Sequence, residues 1–300
     1  PRASVYVACL SAGRPAAAAR DGMRYGKTFW AGGAALLVLA GVLATPVSRY
    51  LGAWDTGVYV GTAMEVARTG RLAVQDRLLA ELSDEERPAF MHAGDPSRPA
   101  WHAGFLITDA AAGRLMPEFY HLYPAWLAVW AALFGLAGVW WGQTAMALLA
   151  LAMVLAAGAV LLGRKAALLA GLGLTFCAAQ AYAMRITSAE MMTQFALFGG
   201  FWALARSLRG GRGATGLMAV AGLAWGAALL AHGTALLPVG AALTFLLAHA
   251  LAARREGERW GRLGIAALAA GLVILWNSAR ADAMTRFLAG LILAYPGWWA

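Results

Sequence analysis

Ionisable side chains are scarce in this chain: Asp, Glu, Lys and Arg make up 13% of its 300 residues, and only 15 are acidic. A typical soluble domain carries about 25%, so the composition argues against a soluble globular fold. Cysteine is nearly missing as well. Cys9 and Cys177 are too few and too differently placed to frame a disulfide scaffold, and redox chemistry is not indicated. No P-loop and no dinucleotide fingerprint is present; the glycines of AGGAALL, GLGL and FGGF lie in apolar runs and read as packing residues. His92, His102, His121, His232 and His249 lack the spacings of zinc ligands. A Mg²⁺- or Mn²⁺-like ion held by a few carboxylates and a substrate phosphate would leave little trace in sequence, so metal use stays open at this point.

What the chain has is apolar length. Of its residues 61% are hydrophobic, with runs at about 30–48, 122–141, 142–162, 166–184, 191–206, 215–231, 234–252, 263–278 and 286–300. These approach the length a helix needs to cross a hydrocarbon core. The expected fold is therefore all-α: a polytopic transmembrane helical bundle whose long extracytoplasmic first loop, residues 50–121, contains interfacial helices. The isoelectric point near 10.1 comes from short basic clusters between apolar runs, the pattern of cytoplasmic loops and not of a nucleic-acid surface. Residues 1–27 read as a disordered or non-native extension plus cytoplasmic flank, with Met23 a candidate start. Residues 28–300 read as one transmembrane domain cut short at its C-terminus.

The basic clusters fix a parity. With Arg24/Lys27 and Arg164/Lys165 both inside, the runs 122–141 and 142–162 cannot both cross. The crossing is assigned to 142–162. The earlier run, opening on Tyr-Pro and broken by Gly135 and Gly138, is expected to be re-entrant or interfacial. The same alternation puts Asp55 and the polar island Arg185 to Glu190 on one external face. The first loop is too long for its own charge to orient it. Its opening segment, Thr56 to Thr69, places Tyr59, Ala63, Val66 and Ala67 on one side of a helix that Gly70 can end, and farther on DPSRP implies irregular connections.

Ten of the fifteen acidic residues lie in that loop, starting with Asp55 at the membrane boundary. Asp55 is a candidate general base, and equally a candidate helix N-cap. In the island, Arg185 and Glu190 suggest a polar cavity, because isolated ions in hydrocarbon are costly. Thr187 with Glu190 also fits a capping box. A third group, Glu118, His121 and Tyr123, converges before the 122–141 run; it supplies substrate contacts or, alternatively, interfacial anchors and an exposed i,i+3 pair. Tyr59 and Asp76 complete the substrate-binding candidates, Asp76 having a solvated helix face as its plainer explanation. His232 reads as a cap of a span or, alternatively, as a group that approaches the donor phosphate.

Together, WDTGVYVGTAMEVARTG, VQDRLLAEL, PEFYHLYPAWLAVWAALFG and AQAYAMRITSAEMMTQFALFGGFWAL, in that order from about Lys27 to Leu251, resemble the polytopic GT-C glycosyltransferases, in particular the protein O-mannosyltransferase and aminoarabinose-transferase-like enzymes of glycosyltransferase family 39. The resemblance implies transfer of a sugar from a polyprenyl-phosphate donor to a protein, lipid or glycan acceptor. The implied setting is the external face of a bacterial plasma membrane, with membrane lipids as neighbours and no nucleic acid. It implies that Asp55 is the catalytic base and Glu190 the second acidic position. Thr56 stands where many relatives carry a second acid, and Tyr123-Pro124 where they carry His-Pro-Pro or Lys-Pro-Pro. A transporter or lipid-handling scaffold is the competing expectation; the paired broken helices and inverted repeats of many transporters are not apparent.

Overall fold

The computed structural model describes residues 26–45, 55–90, 101–102, 104–211 and 213–252. The expected extension at 1–22, the Asp95 to Pro99 connection, the basic cluster after 252 and the runs at 263–278 and 286–300 lie outside them. The described chain is mostly helical. Its helices are α1 (Lys27–Leu43), α2 (Asp55–Thr69), α3 (Arg77–Glu81), α4 (Arg87–Phe90), α5 (Leu122–Leu161), α6 (Arg164–Thr175), α7 (Ala178–Arg185), α8 (Glu190–Leu208), α9 (Ala214–Ala231) and α10 (Leu236–Ala252). By length and composition two of these, α5 and α9, are able to cross a membrane, and the bent pair α6 and α7 makes a third if it is one span.

Helix α1 buries Phe29, Gly33, Leu36 and Ala40, a stripe at helical spacing. The stripe lies against the later part of α5, running the opposite way: a methyl at Gly33 would meet Leu155 and one at Gly41 would meet Leu148. Helix α2 follows the predicted pattern and ends at Gly70, whose φ of +69° suits the residue after a helix and whose amide donates to the Val66 carbonyl at 2.8 Å. It is not a helix simply lying on an interface, however. Val58, Tyr59, Val60, Thr62 and Ala63 are all buried, so α2 is clasped from more than one side.

The long helix α5 is two arms. Gly135 adopts φ 63° and ψ −152°, values that no helix contains and that glycine reaches without a Cβ penalty. The chain reverses there. Trp126 Nε1 donates to the Gly142 carbonyl at 2.9 Å, and the Tyr123 hydroxyl donates to Gln143 Oε1. Small residues let the arms meet: a Cβ on Gly138 would lie 2.0 Å from the Trp130 carbonyl oxygen. The stretch expected to divide between 141 and 142 instead folds at Gly135, one of the two glycines expected to break the earlier run.

The first loop departs from the all-α expectation. Four short strands, β1 (Val74–Gln75), β2 (Trp101–His102), β3 (Phe105–Asp109) and β4 (Arg114–Pro117), pair antiparallel in the order β1-β4-β3-β2. Leu79 of α3 packs with Ile107 and Leu115 beneath the sheet. The β3–β4 turn is held by Asp109 Oδ1, which accepts from the Ala112 amide at 3.0 Å. A glycine at 113 is required, since with φ +63° a Cβ there would sit 2.1 Å from the Asp76 carbonyl oxygen. Ser83 and Glu86 exchange backbone and side-chain hydrogen bonds as a capping box ahead of α4. Gly104 docks the sheet on the helical core, its position lying against Val58 of α2 and against Phe119.

Helices α8, α9 and α10 build a second core around Met218, Trp225 and Leu246. Gly200 makes room for the indole of Trp225, since a Cβ there would be 2.2 Å from its Nε1.

Candidate active site

The site is assembled around Tyr59. One turn of α2 separates it from Asp55, the first residue of the helix, whose exposed carboxylate stands where a negative charge complements the N-terminal helix dipole. The Tyr59 ring, 4% exposed, meets Tyr123 edge-on with centroids 5.1 Å apart and Phe119 at 5.3 Å. Burial raises the Tyr59 hydroxyl's pKa well above the usual tyrosine range, and the negative charges of Asp55 and then Glu190 push it further the same way. Tyr59 therefore keeps its proton.

Glu190 is brought there by the island. The expected capping box between Thr187 and Glu190 does not form: Ala189 occupies the N-cap position of α8, and Thr187, fully buried, sends its hydroxyl across to the Thr56 carbonyl at 3.3 Å. That bond ties the island to the first turn of α2. Arg185 is exposed and donates its Nε to the Thr45 carbonyl at 3.4 Å, just past the end of α1. Among the described residues Arg185 forms no ion pair with Glu190.

Beneath these groups runs a buried polar relay that the sequence reading missed. Gln143, 1% exposed, accepts from the Tyr123 hydroxyl and donates Nε2 to the Ala183 carbonyl at 2.7 Å. The same carbonyl accepts from Ser188 Oγ at 3.3 Å. One amide thus holds both α5 arms and the approach to the island in register. Its signal in sequence was a lone Gln inside the apolar stretch VWWGQTAMALL. Gln143→Leu is expected to leave the buried Tyr123 O–H without its acceptor and to cost about 1–3 kcal/mol of stability. Unfolding midpoints of the single variants and of Tyr123→Phe/Gln143→Leu check this, the pair costing less than the sum.

The remaining candidates divide. Tyr123 lies within the cluster, fully buried. His121, half-buried, sits at the position before α5. Glu118 is exposed, and its backbone amide donates to the Gly104 carbonyl at 2.9 Å. Tyr120, absent from the predicted set, reaches the turn after α9: its ring and hydroxyl lie 3.8 Å from where a Cβ on Gly233 would be. In that turn His232 acts as a cap, Nδ1 accepting from the Thr234 amide at 3.3 Å. Asp76 is not brought to the cluster; it caps α3, accepting from the Leu79 amide at 3.1 Å. An open groove of about 460 Å³ also lies elsewhere, at the far end of α2 between Gly61, Glu65, Arg68, Phe105 and Ala131.

Among the described residues no three His, Cys, Asp or Glu side chains gather where they would hold a metal ion. Asp55 and Glu190 alone do not form a protein cage for a divalent cation. Comparison with known proteins finds no matching family model, no similar curated protein and no similar solved structure.

Proposed function

We propose that this chain is a polytopic membrane glycosyltransferase that moves a sugar from a polyprenyl-phosphate donor to an acceptor at the extracytoplasmic face, with inversion at the anomeric carbon. The observation that carries the reading is the convergence of Asp55 and Glu190 on Tyr59, through the Thr187 to Thr56 bond. Two carboxylates from segments 135 residues apart in sequence, with the exposed guanidinium of Arg185 on the same polar island as Glu190, suit this reaction.

Asp55 takes the proton of the acceptor hydroxyl as its oxygen forms a bond to the anomeric carbon. The bond from that carbon to the phosphate oxygen breaks, and the polyprenyl phosphate leaves with the electron pair. The exposed Arg185 guanidinium is suited to bind the departing phosphate in bidentate fashion. Glu190 orients the acceptor, and Tyr59, held protonated, lies within the field of both carboxylates. This scheme draws on no metal ion.

The reading is tested with the full chain in phospholipid vesicles and a panel of polyprenyl-phosphate sugars. Release of polyprenyl phosphate coupled to acceptor glycosylation is the expected outcome, with inverted configuration. No turnover with any donor would refute transferase activity, and a product of retained configuration would eliminate single displacement.

A further inference from the structure

We propose that the outward face of the α1 and α6 pair, at the end remote from the candidate active site, holds a diacyl phospholipid with an anionic headgroup. The two helices run side by side in the same direction. The Arg164 guanidinium lies 3.5 Å from where a Cβ on Gly26 would be, a Cβ on Gly32 would meet Leu168, and one on Gly171 would meet Leu36. Cations from three separate segments gather where the pair begins. Lys27 opens α1, Arg164 and Lys165 open α6, and Arg209, at the end of α8, donates to the Val160 carbonyl in the last turn of α5. That bond uses one of the five N–H groups of the guanidinium. Among the described residues the carboxylates belong to 55–118 and to Glu190, which follow the far end of α1 and open the far end of α8, so the charge where these cations meet is of one sign.

Each helix of the pair also carries an exposed apolar stripe that starts at its lysine. On α1, Lys27 is followed by Trp30, Ala34 and Val38; on α6 and its C-cap, Lys165 is followed by Leu169, Leu172 and Phe176. All are exposed and spaced by three or four residues, one face of a helix. Trp30 is 62% exposed, Leu169 69% and Phe176 64%. Both stripes look away from α5, because Leu155 of that helix lies against Gly33 and Gly171 on the opposite faces.

A free phosphate ion would account for the cations and not for the stripes, and a neutral lipid for the stripes and not for the cations. An anionic diacyl lipid accounts for both, its phosphate between Lys27 and Lys165 with Arg164 alongside, and one chain along each stripe. The lengths agree. Lys27 to Val38 and Lys165 to Phe176 each rise about 17 Å, close to half of the roughly 30 Å hydrocarbon core. Trp30, one turn below the lysine, then falls at the boundary between headgroups and chains, where tryptophan is favoured. Arg185 meets the Thr45 carbonyl past the other end of α1, about 26 Å away along that helix, so this lipid is not the sugar donor of the proposed reaction and the inference is independent of it.

The test uses the full chain in phosphatidylcholine vesicles that contain a minor fraction of either phosphatidylglycerol or phosphatidylcholine bearing a photoreactive diazirine in one acyl chain, with cross-linked peptides mapped by mass spectrometry. The phosphatidylglycerol probe is expected to label residues 30–38 and 169–176 several-fold more than the phosphatidylcholine probe does, and to show no such preference at the exposed Leu236 and Leu237, which open α10. Lys27→Gln/Lys165→Gln is expected to remove the preference and Lys27→Arg/Lys165→Arg to keep it; both lysines are exposed, and an unfolding curve accompanies each variant. Equal labelling by the two probes in the native chain would leave an unselective lipid annulus and overturn the proposal. A preference that survives the glutamine pair would overturn it too. So would labelling of neither stripe, which would mean that protein covers them, or displacement of the phosphatidylglycerol probe by soluble glycerol phosphate, which would make this a site for a free phosphate.

Discussion

Asp55→Asn is expected to lower sugar transfer by about 10²-fold or more, the range that loss of a positioned general base produces. Asparagine keeps the shape of the side chain and its capacity to accept a hydrogen bond, and it removes the site that the proposed reaction gives the acceptor's proton. Because Asp55 is exposed, the fold is not at stake. The substitution forfeits only the favourable charge at the start of α2, worth about 0.3–1 kcal/mol. The assay reads initial rates with a saturating polyprenyl-phosphate donor beside an unfolding curve of the same preparation. Full activity would dismiss Asp55 as the base. A rate loss that tracks a loss of folded protein would assign the residue to capping.

Gly138→Ala is the substitution expected to damage the fold most. Its methyl would be placed 2.0 Å from the Trp130 carbonyl oxygen and 2.7 Å from the carbonyl carbon, atoms of the opposing backbone that cannot swing away as a side chain can. The arms must separate. With them go the bond from Trp126 to Gly142 and the contact that lets Tyr123 reach Gln143. Overpacking of a tight core costs about 1–3 kcal/mol, and a clash with backbone belongs at or above the upper end of that range. Gly216→Ala is the control. It lies in α9 with nothing within 4 Å of a new Cβ, so helix propensity should make it neutral or stabilising by about 0.5–1 kcal/mol. Unfolding midpoints of the two variants in the same detergent decide the matter. Equal midpoints would mean that the hairpin is not closed at Gly138.

These two positions mark what sequence makes legible and what it does not. The apolar runs, the face of α2 and its stop at Gly70 were readable because each depends on local periodicity and on one residue's allowed φ. The division of the 122–162 stretch was readable from charge parity, but its location was not: any of several glycines can break a helix, and Gly135 is selected by which arms can pack. The sheet escaped notice because its strands are two to five residues long, too short for alternation to stand out. Two sequences of the same capping pattern met different fates. Ser83 and Glu86 close on each other on an exposed surface, whereas Thr187 lies beside the Thr56 carbonyl and bonds there instead. In the candidate site, the proximity of the Asp55 segment to the island was anticipated from topology. Gln143 was overlooked, since a single amide in an apolar run shows its purpose only when the Tyr123 hydroxyl and the Ala183 carbonyl close around it.

The break between α6 and α7 bears on the reach of the island. The two helices meet at 67°. Helix α7 is about 12 Å long at the usual rise per residue, so inclined at that angle it advances only about 5 Å along the line of α6 while carrying its end about 11 Å sideways. A straight continuation would have taken Arg185 onward along that line, away from the Thr45 carbonyl it now holds. The elbow at Phe176 and Cys177 converts helix length into lateral throw, and the angle at which it is set carries Arg185 to the end of α1.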